Sequence, residues 1–323
     1  MLLTMKNLKN LFFFLAFLAS QILFSISPSV SHAGTEVTVP QKGATTEQTG
    51  FLFEIEKNGF KSFVFGTIHT GFSPAQLMDA RTTQIIKKSR RIYVEADISD
   101  VAKSDKAIED EGFYKGDKKL AQSIDAKNYD LYRSILVDRG QFLSIQEYEI
   151  ARPWLIAMLI PIADSLVESY PLLKFGSDIK IIKLSKEYVI PLIEIEGIAN
   201  QAQFFSSMAD DVERVYFSSY VDLVKNKIIY GRIFKEISAW TSSDFESLEN
   251  LMVDARQKKD AYSSFYFKNV IDERNKKFIK MIANASNNAS GGFFAVGCEH
   301  LAGVSGVVHG LRDRGYSVKQ IKY

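Results

Sequence analysis

Two short turns with the pattern Gly-x-x-His are the residues of this sequence best suited to chemistry. They are Gly66–His69 and Gly297–His300. Each follows an apolar run typical of a β-strand, and its glycine lets the backbone turn sharply, so that the imidazole is directed back across the strand ends. In open α/β sheets, ligands bind at the carboxyl ends of the strands. Two histidines in one context, among four in the whole chain, therefore indicate a functional site.

Two carboxylates follow other strand-like runs and are expected at the same edge of the sheet. Glu95 lies near the end of the run Ile92–Ala96, and Glu196 follows the run Ile190–Ile195. Helix capping or an ion pair would explain either carboxylate taken alone. Together with two imidazoles they form a ligand set for a divalent metal ion that keeps open positions. Such an ion lowers the pKa of a bound water and polarises a carbonyl, while a second carboxylate acts as general base.

Two further side chains have a chemical and a structural interpretation. Arg274, in the predicted helix Ala261–Ala285, is expected either to bind an anion at the site or to form an exposed ion pair. Cys298 lies next to the second histidine turn and would suggest a thiol nucleophile, but a free catalytic thiol is disfavoured in an oxidising compartment.

The elements that position these residues read as an α/β fold. Phe51–Glu56 and Ser62–Phe65 alternate as strands around Asn58-Gly59, a strong hairpin signal. A helix from Ser73, placed as N-cap, to about Arg90 then leads to the next strand. The same order of strand, Gly-x-x-His turn and helix recurs near the C-terminus, where Gly315 is expected to end the last helix. We therefore predict a central mixed sheet made of two related halves.

A large helical insertion, from about residue 118 to 285, is predicted between these halves. A proline in Arg152-Pro153-Trp154 is expected to begin or kink a helix. The predicted helices of the insertion are Lys118–Arg139, Ile145–Ser169, Ser177–Glu187, Asn200–Lys225, Asp244–Lys259 and Ala261–Ala285.

The N-terminus has the pattern of an export signal. Lys6 and Lys9 precede the apolar run Leu11–Ile26, and Ser31-His32-Ala33 is a suitable cleavage site. We expect a signal peptide at 1–33, a flexible leader at 34–50 and one domain at 51–323. The chain would then be periplasmic or secreted, with no stable membrane insertion after cleavage. An uncleaved anchor is the alternative, since the apolar run approaches the lower limit for spanning a bilayer.

Composition excludes some classes of function. Without the predicted signal, the chain would hold 38 basic and 38 acidic side chains, so no nucleic-acid partner is expected. One cysteine cannot form an internal disulfide, so the fold depends on its hydrophobic core, for which 46% apolar residues suffice.

A series of short motifs makes the sequence resemble the TraB/GumN family, which is related to the TIKI-type proteases. The motifs cover the chain from about Phe51 to the C-terminus. In order they are Phe65–Gly71, Tyr93–Asp97, Arg152–Trp154, Phe175–Asp178, Pro191–Glu196 with Gln201, Glu273–Asn275, Ala295–Gly303 and Arg314–Tyr316.

The resemblance implies a fold with Gly-x-x-His motifs on related halves and, in the TIKI branch, metal-dependent protease activity. His69, Glu95 and His300 match the core of the family site and would be the metal ligands, with Mn, Co, Zn or Fe as the ion. Glu196 and Arg274 match further family positions. The family also includes proteins described as pheromone-shutdown factors, and more distant relatives bind haem.

The leading hypothesis from the sequence is an exported, metal-dependent hydrolase that cleaves a peptide or protein substrate. Glu196 would assist proton transfer, and Arg274 would hold a carboxylate or an oxyanion. A non-catalytic protein that binds a peptide or haem in the same cleft is the alternative, and an interaction scaffold is a third interpretation. The oligomeric state is not predicted.

Overall fold

The computed structural model describes residues 49–69, 78–138, 148–167, 176–287 and 291–322. The strands within these ranges are β1 (Phe51–Lys57), β2 (Phe60–Thr67), β3 (Ile92–Val94), β4 (Leu192–Glu194), β5 (Phe293–Gly297) and β6 (Ser317–Gln320). The α-helices are α1 (Ala80–Lys88), α2 (Val101–Glu111), α3 (Ala126–Asp138), α4 (Pro153–Val167), α5 (Ser177–Glu187), α6 (Ile198–Ser206), α7 (Asp210–Lys225), α8 (Ile229–Thr241), α9 (Phe245–Arg256), α10 (Ala261–Phe265), α11 (Glu273–Ser286) and α12 (Val307–Arg312). A π-helix covers Tyr266–Asp272, and 3₁₀ turns cover Leu120–Gln122 and Cys298–His300.

The six described strands form one mixed sheet in the order β4-β3-β5-β2-β1-β6. The first four of these run parallel to one another, and β1 pairs antiparallel with both β2 and β6. The predicted α/β class with a mixed central sheet is therefore confirmed. The relation of its two halves by duplication stays a prediction.

The central parallel strands β3 and β5 are buried on both faces, as expected of a sheet covered by helices, whereas the edge strand β4 is half-buried. All five residues of β5 are buried, and so are the last residues of β2. The ring of Phe65 packs edge-on against Trp240 of α8 at 6.0 Å, and Trp240 Nε1 donates to the carbonyl of Gly66 at 2.7 Å. Helix α8 thereby packs beneath the first histidine turn.

The predicted hairpin is confirmed, because β1 and β2 pair in register around Asn58 and Gly59. Both turn residues have positive φ, 53° and 79°, which is the conformation that Asn-Gly favours in a two-residue hairpin. The last strand, β6, then pairs with the outer edge of β1.

The middle of the chain is helical but contributes β4, a short strand, to the sheet. Helix α4 begins at Pro153 as predicted, and Arg152 before it donates to both carboxylate oxygens of Glu213 at 3.1 and 3.2 Å. Three expected helices are divided: Lys118–Arg139 into the 3₁₀ turn and α3, Asn200–Lys225 into α6 and α7, and Ala261–Ala285 into α10, the π-helix and α11. The expected helix Ile145–Ser169 is interrupted by non-helical residues at 149–152, before α4.

Some predictions fall outside the described residues, namely the signal peptide, most of the leader and the N-cap at Ser73. The helix that is predicted to begin at Ser73 is α1, and its described part begins at Ala80. Asp79 precedes it, and the Asp79 side chain accepts a hydrogen bond from Thr82 N. No helix among the described residues is long and apolar enough to cross a membrane.

Candidate active site

The predicted site residues lie where four parallel strands end. Thr67 of β2 is opposite Gly297 of β5, and Val94 of β3 is opposite both Ala295 of β5 and Glu194 of β4. The carboxyl ends of these strands therefore share one edge of the sheet. Beyond that edge the chain places the five predicted side chains, which are His69, Glu95, Glu196, Arg274 and His300. Arg274 contacts Glu95, Glu196 and His300.

The turn that carries His69 is fixed to the start of α5. Ile68 N donates to Ser177 Oγ at 2.8 Å, and Ser177 N donates to the Ile68 carbonyl at 2.8 Å. A Cβ at Gly176 would lie 2.8 Å from the His69 carbonyl oxygen, so only glycine fits there without a shift. The chain thus holds the first histidine turn against an element more than 100 residues away.

His69 forms a buried pair with Asp178 in the first turn of α5. Its Nδ1 lies 2.8 Å from Asp178 Oδ2, so Nδ1 carries the proton and Nε2 is the basic nitrogen. Nε2 has no hydrogen-bond partner among the described residues. Burial alone would lower the pKa of His69, but the charge of Asp178 and the hydrogen bond to it raise the pKa above its usual value.

The surroundings of His300 lower its pKa, whereas those of His69 raise the pKa of His69. Its Nδ1 lies 2.7 Å from Oδ1 of Asn275, whose Nδ2 donates to the Ser305 carbonyl, so Nδ1 of His300 must carry a proton. Its Nε2 lies 3.1 Å from Nη1 of Arg274, which can only donate. His300 is therefore neutral, and burial together with the charge of Arg274 lowers its pKa to about 3. The two Gly-x-x-His turns are not chemically equivalent.

Arg274 is the centre of the contacts at this edge. Its Nη2 donates to Glu95 Oε2 at 2.5 Å, and its Nε donates to Glu196 Oε2 at 2.9 Å. Nη2 also lies 2.8 Å from Glu196 Oε2 as part of the ion pair, and the side chain is 6% exposed. Of its five N–H groups, one on Nη1 and one on Nη2 remain after these bonds and the bond to His300. Arg274 therefore reaches other predicted site residues and forms buried ion pairs rather than an exposed one, while its role in binding an anion stays a prediction.

Glu95 is ionised, and both of its carboxylate oxygens accept hydrogen bonds from neighbouring groups. Oε1 accepts from Gly297 N at 2.6 Å, and Oε2 accepts from Gln201 Nε2 at 2.9 Å as well as from Arg274. Burial would raise the pKa of this carboxyl, but the nearby positive charges, with Arg274 first, lower it to about 2. A carboxylate with so low a pKa is a weak general base at neutral pH.

Glu196 differs from Glu95 in having one oxygen without a partner. Its side chain is 3% exposed, and only Oε2 is bonded to Arg274. Oε1 is buried and has no hydrogen-bond partner among the described residues, and the same is true of Oε1 of Gln201 on the following helix. These oxygens are available to a donor from a water molecule or a substrate.

Two neighbouring residues at the start of α11 both reach the site. Successive side chains in an α-helix diverge by about 100°. Arg274 and Asn275 are nevertheless both buried and both contact His300, directly after the π-helical segment Tyr266–Asp272. Such segments occur frequently at functional sites. Phe278, one turn later, closes the site with an edge-on contact to His300 at 4.9 Å.

Cys298 has no suitable environment for a nucleophile. Its side chain is fully buried, and burial raises the pKa of the thiol well above its ordinary value. Its Sγ lies 3.3 Å from Glu236 Oε1, a carboxylate that also disfavours the thiolate.

The arrangement does not fit a three-ligand metal ion. No group of three or more His, Cys, Asp and Glu side chains within reach of one ion occurs among the described residues. His300 Nε2 and Glu95 Oε1 are 3.9 Å apart, but the guanidinium of Arg274 is bonded to both side chains, so its charge takes the place of a metal ion there. Binding of Mn, Co, Zn or Fe stays a prediction that requires Arg274 to move.

Three contributors to the site were given no role by sequence reasoning. Asp178, Gln201 and Asn275 orient His69, Glu95 and His300, respectively. Each lies within or beside a motif that resembles the TraB/GumN pattern. Their positions in these motifs connect the three residues with the family pattern, but the motifs do not predict which side chains they contact.

The fold and the site define an α/β protein with a buried histidine, arginine and carboxylate centre at the carboxyl edge of its sheet. The chain belongs to the TraB/PrgY/gumN family, whose family model matches residues 51–320. Among curated proteins and solved structures, none is significantly similar to this chain.

Proposed function

We propose that this protein is a hydrolase in which His69 activates a water molecule, and that the bond it cleaves is a peptide bond. The observation that carries the proposal is the pair of Asp178 and His69, with 2.8 Å between Oδ2 and Nδ1. A carboxylate that orients an imidazole and stabilises its protonated form is a recurring arrangement for general-base catalysis. The choice of peptide bond rests on the resemblance to TIKI-type proteases.

In the proposed reaction, Nε2 of His69 removes a proton from water as the oxygen attacks the substrate carbonyl. The developing oxyanion accepts a hydrogen bond from the remaining Nη1–H of Arg274, where a fixed, buried positive charge stabilises it. The proton on His69 passes to the leaving amine as the C–N bond breaks. Water is thereby divided between the new carboxylic acid and the new amine, and His69 returns to its neutral form.

The remaining residues hold this centre in place. Glu95 and Glu196 fix the orientation of Arg274, and His300 accepts a third bond from the same guanidinium. The unpartnered Oε1 of Glu196 would accept a hydrogen bond from the attacking water or the leaving amine, which is how Glu196 would assist proton transfer. Gly66 and Gly297 are expected from the sequence to form sharp turns, but both lie in the last residues of strands, β2 and β5, and neither has positive φ. Gly66 instead allows close packing, because a Cβ there would lie 2.7 Å from Leu301 Cδ1.

No step of this reaction is assigned to a metal ion, because Arg274 stands between the expected ligands. Haem ligation by both histidines meets the same obstacle, since Nε2 of His300 is bonded to Arg274. The remaining alternative is a protein that binds a peptide without cleaving it. Such a protein would use the same hydrogen-bond donors and acceptors of this site.

The test is peptide cleavage by the chain that begins at Gly34, measured by mass spectrometry with a mixed peptide library. The His69→Gln variant should lose cleavage, while His309→Gln should keep it, because His309 is half exposed on α12 and lies outside the site. Metal content and activity with and without EDTA are measured in parallel. Metal-dependent cleavage would contradict the role given to Arg274, and peptide binding without cleavage would contradict the hydrolase.

Export is a separate part of the proposal, supported by the sequence of residues 1–33. Expression of the full chain in a bacterium with fractionation and N-terminal sequencing should give a periplasmic or secreted protein that begins at Gly34. A membrane-bound protein with an intact N-terminus would instead favour the uncleaved anchor.

A further inference from the structure

A second concave site lies at the junction of α9, α10 and the π-helix. It is a cavity of about 340 Å³, and four positively charged side chains line it: Arg256, Lys258, Lys259 and Lys268. Asp272 is the one carboxylate of the lining, so the net charge of the lining is +3. The volume is within the range of pockets that bind small molecules.

The carboxylate in this cavity is already neutralised. Arg256 donates to both oxygens of Asp272, at 2.6 and 3.0 Å, and Ser305 Oγ donates at 2.6 Å. Burial would raise the pKa of Asp272, but these hydrogen bonds and the charge of Arg256 lower it, so the group stays ionised and bound to Arg256. The ring of Phe267 lies 4.2 Å from the Arg256 guanidinium and fixes it further. Arg256 and Asp272 thus form the wall of the cavity.

The lysines provide the charge for a ligand. Lys259 and Lys268 are exposed, and neither has a carboxylate within salt-bridge distance among the described residues. Lys259 lies in the link between α9 and α10, and Lys268 lies on the π-helix, so two separate elements contribute a lysine to the lining of the same cavity. Lysine binds phosphate as a compact point charge with three donors.

We propose that this cavity binds the phosphate group of a small phosphate monoester, with Lys259 and Lys268 as its principal contacts. A dianionic phosphate matches the positive lining, and the volume leaves room for part of the organic group. This inference does not depend on the hydrolase proposal, because none of its residues belongs to the centre around His69 and Arg274.

The test is isothermal titration calorimetry at low ionic strength with glycerol 3-phosphate, and with glycerol as the neutral control. Saturable binding of one molecule per chain is expected for the phosphate alone. The Lys259→Gln, Lys268→Gln double variant should weaken binding at least tenfold. The matched variant Lys319→Gln, Lys322→Gln removes the same charge from exposed residues elsewhere and should leave binding unchanged.

Three outcomes would overturn the proposal. They are the absence of saturable binding, equal weakening in both double variants, and binding to phosphatidylglycerol vesicles but not to glycerol 3-phosphate. Circular dichroism and thermal unfolding verify that both variants fold, which is expected because all four substituted lysines are exposed.

Discussion

Arg274 donates a hydrogen bond to His300, with 3.1 Å between Nη1 and Nε2, and this contact is open only to a neutral imidazole. A protonated His300 would bring a hydrogen and a second positive charge against the guanidinium. The second histidine turn is therefore a fixed acceptor for arginine. Of the two histidines, His69 is therefore the one to which the proposed function assigns the role of base.

The two histidines should titrate differently. His69 should have a pKa above the ordinary value of about 6.5, because Asp178 stabilises its charged form, whereas His300 should stay neutral to about pH 3. Long-range ¹H–¹⁵N NMR spectra recorded against pH would measure both. Spectra of His69→Gln and His300→Gln assign the signals. Titration of His300 near pH 6.5 would refute the hydrogen-bond assignment.

Removing the partner of His69 should shift the pH dependence of cleavage. The base must be neutral to act, so activity rises with pH through the pKa of His69. Asp178→Asn removes the charge that raises this pKa, and the acidic limb of kcat/KM should move to lower pH. The maximal rate should also fall by about 10²–10⁴-fold, the usual contribution of an oriented base. Asp313→Asn, beside the exposed His309, should change neither quantity.

Arg274 should contribute strongly to stability as well as to activity. Arg274→Gln leaves Glu95 and Glu196 buried beside each other without a counter-charge. Breaking a buried ion pair in this way costs about 3–5 kcal/mol, so the urea midpoint should fall clearly. Arg274→Lys keeps the charge but cannot reach all three partners, and it should recover only part of the loss.

A second substitution separates the loss of charge from the loss of packing. Arg274→Gln leaves the charge of Glu95 without a counter-charge, and Glu95 has more hydrogen bonds than Glu196. Adding Glu95→Gln removes this charge. The double variant should therefore be more stable than Arg274→Gln alone, while remaining inactive. Additive losses of stability in the double variant would mean that the two residues do not act as a pair.

The sequence is sufficient to predict where the site lies, because parallel strands carry their carboxyl ends to one edge of a sheet. His69, Glu95, Glu196 and His300 all follow strand-like runs, and all lie at that edge. The role of each residue depends on contacts between distant parts of the chain. Asp178 is 109 residues from His69, and periodicity holds no information about that pairing.

The missed helix boundaries have local causes. The break between α6 and α7 precedes three acidic side chains in the first turn of α7, a recognisable start signal. The π-helix before Arg274 has no such signal, since a helical pattern with one additional residue still appears amphipathic. The prediction of one helix over Ala261–Ala285 therefore missed the π-helix Tyr266–Asp272.

Acid should destabilise the protein through His300 before it acts through Glu95. The pKa of His300 is lowered to about 3, so its contribution to stability is present above pH 6.5 and is lost as pH falls toward 3. The pKa of Glu95 is lowered to about 2, so its contribution is lost between about pH 4.5 and 2. The raised pKa of His69 acts in the opposite sense, and its contribution is lost as pH rises above 6.5.

The measurement is the free energy of unfolding in urea between pH 7 and pH 4.5. One proton taken up on unfolding gives a slope of up to about 1.4 kcal/mol per pH unit. His300→Gln should have a shallower slope than the parent protein by about this amount, and His309→Gln should not. Parallel curves for all three proteins would show that His300 is not held neutral in the folded state.

Gly176 should be required for the position of His69, although it lies in a different motif. A Cβ at this residue would meet the His69 carbonyl oxygen at 2.8 Å, which is backbone and cannot move alone. Gly176→Ala should therefore displace the turn that carries His69 and lower the free energy of unfolding by about 1–3 kcal/mol. It should lower kcat by a larger factor than it changes KM. Gly231→Ala in α8 is the matched control, since nothing lies within 4 Å of its Cβ position and alanine favours a helix by about 0.5–1 kcal/mol. Equal effects of the two substitutions would show that the close approach of Gly176 to His69 has no role in the site.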